Sequence, residues 1–81
     1  MILNIITPQA SVEHQIAWLE LATLTGTFTV YRGHAPTIVP LKPFSQLIFK
    51  LKTGKQQNLT VRDGIAHITR ENIEILATPV E

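Results

Sequence analysis

The 81-residue sequence contains no cysteine. Disulfides and thiolate metal sites are therefore excluded, and the chain must be held by apolar packing or by a partner. The lack of thiols also fits a reducing compartment. Charge is scarce: Asp, Glu, Lys and Arg make up 16% of the residues, against about 25% in an ordinary soluble domain. A net charge of +1 leaves no basic footprint for nucleic acid, whose affinity rests on many Lys/Arg–phosphate contacts. No apolar run approaches the ~18 residues of a membrane-spanning helix. The opening MILNIITPQ lacks the basic leader of a signal peptide. These gaps predict one soluble cytoplasmic domain with a modest core, since a chain this short buries roughly 60% of its unfolded surface. Its hydrophobic content of 44% and mean hydropathy of +0.16 predict that part of the surface is covered by another protein.

Helical periodicity is almost missing, and alternation takes its place. QLIFKLK sets Leu47, Phe49 and Leu51 on one face and Ile48, Lys50 and Lys52 on the other, wetter one. TGK predicts a turn with Gly54 in the left-handed region. QQNLTVR then reads as a returning strand with Leu59 and Val61 inward. Asp63–Gly64 is a two-residue hairpin signal, followed by the strand IAHIT, a turn at REN and the strand NIEILA, with Ile73 and Ile75 inward. In the first half, ILNII is a strand stopped by Pro8, and SVEH reads as a polar connection. QIAWLELATL alternates Ala17, Leu19 and Leu21 against Trp18 and Glu20. A helix over residues 10–22 is rejected, because the residue three after Ser11 is not Glu or Gln and the β-branched and aromatic content favours a strand. The stretch GTFTVYRGHAPTIVPLKP combines the strand TFTVY with an extended run carrying Pro36, Pro40 and Pro43. Prolines remove ladder donors and confine such a run to an edge, a bulge or a corner between sheets. Many short strands at close spacing predict an all-β fold, a small β-sandwich of two packed, mostly antiparallel sheets ending in a β-meander.

Little in the chain points to chemistry. His14, His34 and His67 are separated by 20 and 33 residues, which matches no local zinc spacing. His14 reads as part of the polar connector and His67 as a surface or edge residue. His34, in GHAP, would need a nucleophile or carboxylate partner to act as an acid or base. No nucleophile elbow, phosphate-binding glycine loop or paired-carboxylate site is present. The favoured role for its ring is a hydrogen bond to backbone groups freed by the prolines. No metal or cofactor is expected. Trp18, Phe28 and Tyr31 could stack single-stranded nucleic acid, although core and interface packing suits the low charge better.

Beyond the single-residue reading, the stretch Gly26–Pro43 resembles the N-terminal β-sandwich domain of the epsilon subunit of rotary F-type ATP synthases, the chain called delta in mitochondria. The matching positions are Gly26, Phe28, Val30, Gly33, His34, Ala35, Pro36, Leu41, Lys42 and Pro43. LNIITP resembles that family's opening strand, and LTVRDGIAHITRENIEILA its closing hairpin. Thr27 stands where the family has an acid, Thr29 where it has a second glycine, Arg32 where proline is common and Asp63 where glycine is common.

The resemblance implies a single sandwich domain over residues 1–81, without the helical hairpin that follows it in many family members. It also implies that hydrolysis is not inhibited, nor ATP bound, through such a hairpin. It further implies a non-catalytic rotor part, peripheral to the cytoplasmic face of the cell membrane or the equivalent organelle face. The expected partners are the gamma subunit, the c-ring and, through gamma, the alpha/beta hexamer. The c-ring contact maps onto a turn holding Thr27, with Phe28, Thr29, Tyr31 and Arg32 nearby. The gamma contact maps onto His34, Thr37, Ile38, Val39, Pro40 and Lys42. The competing readings are a free-standing small β-barrel binding single-stranded nucleic acid or a peptide, and a small enzyme using His34.

Overall fold

The computed structural model describes residues 1–80 and is built from strands: β1 (Ile2–Ile6), β2 (Ser11–Thr23), β3 (Gly26–Tyr31), β4 (Thr37–Pro40), β5 (Ser45–Leu51), β6 (Gln56–Ile68) and β7 (Asn72–Pro79). β2 and β6 are the longest, with 13 residues each, and both bend from one sheet into the other. The first half of β2 pairs with β1, and its second half lies between β3 and β5. The first half of β6 pairs with β5, and its second half lies between β4 and β7. One sheet is therefore β3–β2–β5–β6 and the other β2–β1–β7–β6–β4. Among the described residues, only the β1–β7 pair is parallel. The result is the expected all-β sandwich of mostly antiparallel sheets, with β5–β6–β7 as its closing meander.

Each long strand changes sheet at a bulge. In β2 the register shifts between Ile16 and Trp18. The extra residue reverses the side-chain alternation, so Ile16, Leu19 and Leu21 are buried while Ala17, expected inward, is exposed. In β6 the register shifts between Val61 and Asp63. Val61 is buried before the shift, and Ala66 and Ile68 after it.

This corrects the hairpin expected at Asp63–Gly64. The chain runs through these residues as one strand, and QQNLTVR and IAHI are its two halves. Gly64 serves a close approach instead of a turn: a Cβ there would lie 2.7 Å from the Leu76 carbonyl oxygen and 3.1 Å from Leu41 Cδ1. SVEH is also corrected. It belongs to β2, with Ser11 opposite Ile6 and His14 opposite Leu3. Its polar residues Ser11 and Glu13 occupy solvent-facing positions, which made a strand look like a connector. Gly54 does take the left-handed region, at φ 98°.

The core lies between the sheets. Leu3, Ile16, Leu19, Leu21, Val30, Leu47, Val61, Ile68, Ile73 and Ile75 are fully buried. Threonine hydroxyls brace three turns by the same local pattern. Thr7 Oγ1 donates to the Ala10 carbonyl at 3.1 Å, Thr23 Oγ1 to that of Gly26 at 2.8 Å, and Thr69 Oγ1 to that of Asn72 at 2.9 Å.

Candidate functional site: a corner and an outward apolar row

The segment Gly26–Pro43 begins on the free edge of one sheet and ends on the free edge of the other. Among the described residues, β3 pairs only with β2, and β4 only with β6. Residues 32–36 turn the corner, one of the placements the prolines allowed, and the corner is tied to the β6–β7 turn. Gly33 donates its backbone N–H to the Arg70 carbonyl at 2.7 Å, and His34 donates its own to that of Tyr31 at 3.2 Å. Arg32 pairs with Glu71 at 3.0 Å, both side chains being largely exposed.

His34 serves this corner. Its Nδ1 donates to the carbonyl of Ala35, the residue before Pro36, at 2.7 Å, and Thr37 Oγ1 donates to the same oxygen at 2.9 Å. The imidazole stacks on Phe28, with ring centroids 6.0 Å apart. Among the acids, Glu71 is held by Arg32 and Glu74 lies 3.7 Å from His67 Nδ1. Among the described residues, no group of three or more His, Asp or Glu side chains could hold a metal.

The residues expected to face the c-ring fall on two sides of β3. Thr27, Thr29 and Tyr31 point outward, opposite Ala22, Glu20 and Trp18 of β2. Phe28 points inward with buried Val30 and packs against the core. Thr27, expected in a turn, lies in the strand; the turn is Leu24–Thr25, closed by the Thr23 hydroxyl donating to the Gly26 carbonyl. The inward placement of Phe28 also removes it from any stacking platform with Trp18 and Tyr31, which are neighbours on the opposite face.

The residues expected to face gamma divide in the same way. Thr37 and Val39 are half-buried, opposite buried Ile68 and Ala66. Ile38 is 66% exposed. Pro40 and Lys42 are also exposed, and the Lys42 N–H donates to the Ala22 carbonyl at 2.8 Å.

The register builds an apolar row beside Ile38 and Pro40 that the order of residues along the chain does not display. Pro40 lies opposite Ile65, Ile65 opposite Leu76, and Leu76 opposite Ile6. These four side chains form one apolar row across the outward face of β4, β6, β7 and β1. Ile65 and Leu76 are 40% and 47% exposed. The adjacent row is Ile38, His67, Glu74, Asn4 and Glu13. A solvated sheet face ordinarily carries polar residues at such positions. The signal was present in IAHIT, NIEILA and ILNII, each of which has an apolar residue on the nominally polar parity.

The fold is a β-sandwich in which His34 is bonded to a backbone corner and an apolar row lies on one outer face. The chain belongs to the family described as ATP synthase, Delta/Epsilon chain, beta-sandwich domain, whose model matches residues 1–81. Among solved structures, a chain in the Euglena gracilis mitochondrial ATP synthase, OSCP/F1/c-ring in rotational state 1, superposes with a TM-score of 0.84 at 23% identity, over 93% of this chain and 48% of that one. A chain in the Tetrahymena thermophila mitochondrial ATP synthase central stalk and c-ring structure gives 0.81 at 12% identity, over 96% of this chain and 63% of that one. At these identities the likeness is one of fold, and the chain spans less than two thirds of either match. No curated protein matches the chain significantly.

Proposed function

We propose that this chain is a non-catalytic central-stalk subunit of a rotary F-type ATP synthase. In this reading it docks the gamma subunit onto the c-ring and helps couple ion-driven rotation to ATP synthesis. It is peripheral to the membrane, on the cytoplasmic face or its organelle equivalent, and reaches the alpha/beta hexamer through gamma. The observation that carries the reading is the outward row Pro40, Ile65, Leu76 and Ile6, continuous with Ile38 on the edge strand. It offers gamma an apolar contact at the centre with His67, Glu74 and Lys42 as a polar rim, the usual anatomy of a protein interface. Thr37 and Val39 hold β4 in place from the inner side, and His34 fixes the corner from which β4 starts.

The c-ring contact is assigned to the outward side of β3: Thr27, Thr29 and Tyr31, with Arg32 at its end and Phe28 supporting it from within. Threonine hydroxyls and the Tyr31 phenol offer neutral hydrogen bonds where family members use an acid. Losing one rim ion pair costs about 0–1 kcal/mol, so the substitution at Thr27 is compatible with docking. A body ordered from end to end by strands suits transmission of torque between rotating parts.

The test is a calorimetric titration of the chain into the gamma subunit of the same complex. Saturable one-to-one binding with a negative heat-capacity change supports the proposal. Absence of both heat and co-elution overturns it.

A further inference from the structure

A second feature lies away from the docking row, at the end of the sandwich where β1 runs into β2. Here the sheets part and leave a cleft of about 300 Å³. Ile5 and Val12 line it from one sheet, Phe49 and Leu59 from the other, with Pro79 beside them. The residues that would close it, Thr7 and Ala10, are small. Ile5 and Phe49 form its buried floor, while Val12, 47% exposed, and half-buried Leu59 stand at its open mouth.

His14 is the polar feature inside this cleft. It pairs with buried Leu3 across the β1–β2 ladder, so it points between the sheets. Its ring packs on Phe49, with centroids 5.1 Å apart at 43°. No described residue hydrogen-bonds its ring nitrogens, and among the described residues no side-chain nitrogen or oxygen is both buried and unpartnered. Those nitrogens are thus accessible. Gln57, opposite Phe49 in the β5–β6 ladder, is half-buried and also points inward, Asn58 lies beside it, and among the described residues no Asp, Glu, Lys or Arg lines the cleft.

We propose that this cleft binds a small uncharged amphipathic molecule, an aromatic or short aliphatic body bearing one hydroxyl. The body lies between Val12, Phe49 and Leu59, and the hydroxyl hydrogen-bonds to His14. The volume is at the lower end of ligand pockets and suits about 10–15 non-hydrogen atoms. The absence of a fixed countercharge disfavours a carboxylate or phosphate, because a buried charge without a partner is costly. A nucleotide is excluded on both size and charge.

The probe is 2-naphthol, titrated into the isotope-labelled chain and followed by amide, methyl and imidazole chemical shifts, with 2-naphthoate as its charged counterpart. Saturable shifts confined to Val12, His14, Phe49, Leu59 and their neighbours are expected, with naphthoate at least tenfold weaker. His14→Phe retains the ring packing and removes the hydrogen bond, so affinity should fall about fivefold. Val12→Trp should fill the cleft and abolish binding while leaving the core methyl spectrum intact. Non-saturating shifts, shifts clustered on another face, equal affinity for naphthoate, or unchanged affinity in His14→Phe would each overturn the proposal.

Discussion

The two outer faces of the sandwich are built by the same long strands and differ in what they show to solvent. On the β3–β2–β5–β6 face, Thr29, Glu20, Ile48 and Asn58 form one cross-strand row and Tyr31, Trp18, Lys50 and Gln56 another. Each apolar side chain there has polar neighbours. On the opposite face Pro40, Ile65, Leu76 and Ile6 stand in register with no polar residue between them. Both faces cover one core, so stability alone does not explain the difference. The contiguous exposed apolar strip on a small, weakly charged chain is the ground for proposing that a partner covers this face.

Substitutions in the core that both faces share are expected to cost the most. Leu19→Ala removes a fully buried side chain and should cost about 2–5 kcal/mol in urea unfolding, the usual range for such a cavity. Next in size is a difference in gamma binding. Leu76→Asp puts an unpaired carboxylate at the centre of the proposed contact and should weaken binding by about 2–3 kcal/mol, as for a central hot spot. Ile48→Asp, on the other face, should leave binding within about threefold of the parent, less than 1 kcal/mol. These outward positions separate docking from folding better than Thr37 or Val39, whose side chains turn toward the core.

Gly64→Ala tests the framework beneath the apolar row. Its Cβ would meet the Leu76 backbone oxygen at 2.7 Å, and forcing β6 from β7 should cost about 1–3 kcal/mol in thermal or urea unfolding. The smallest effect is expected for Arg32→Ala. The Arg32–Glu71 pair is largely exposed, so its loss should change stability by less than about 1 kcal/mol. A much larger loss would give the ion pair a share in holding the corner that the backbone bonds of Gly33 and His34 now explain.

The fold class was legible because inward positions alternate over short runs: Leu47 with Phe49, and Ile73 with Ile75. The sheet corner was legible because Pro36, Pro40 and Pro43 cannot serve a central ladder. The bulges at Ala17 and at Arg62–Asp63 were not legible. They answer a tertiary demand, since β2 and β6 must bend to join both sheets, and local propensity does not record it. Asp63–Gly64 carries the composition of a hairpin, yet the glycine is used for the approach of β7. The apolar row was hidden for another reason. Its members come from four strands spread over most of the chain, and only the register makes them neighbours. His14 looked like connector chemistry because its flanking polar residues face solvent, while its own ring turns inward onto Phe49.

In the proposed complex gamma covers the β4–β6–β7–β1 face. Methyl cross-saturation in the gamma complex, with isoleucine methyl groups labelled on this chain, tests it most directly. Saturation transfer to Ile38, Ile65 and Ile6, with Ile48 unaffected, is the predicted result. Transfer to Ile48 with Ile38, Ile65 and Ile6 silent would contradict the account.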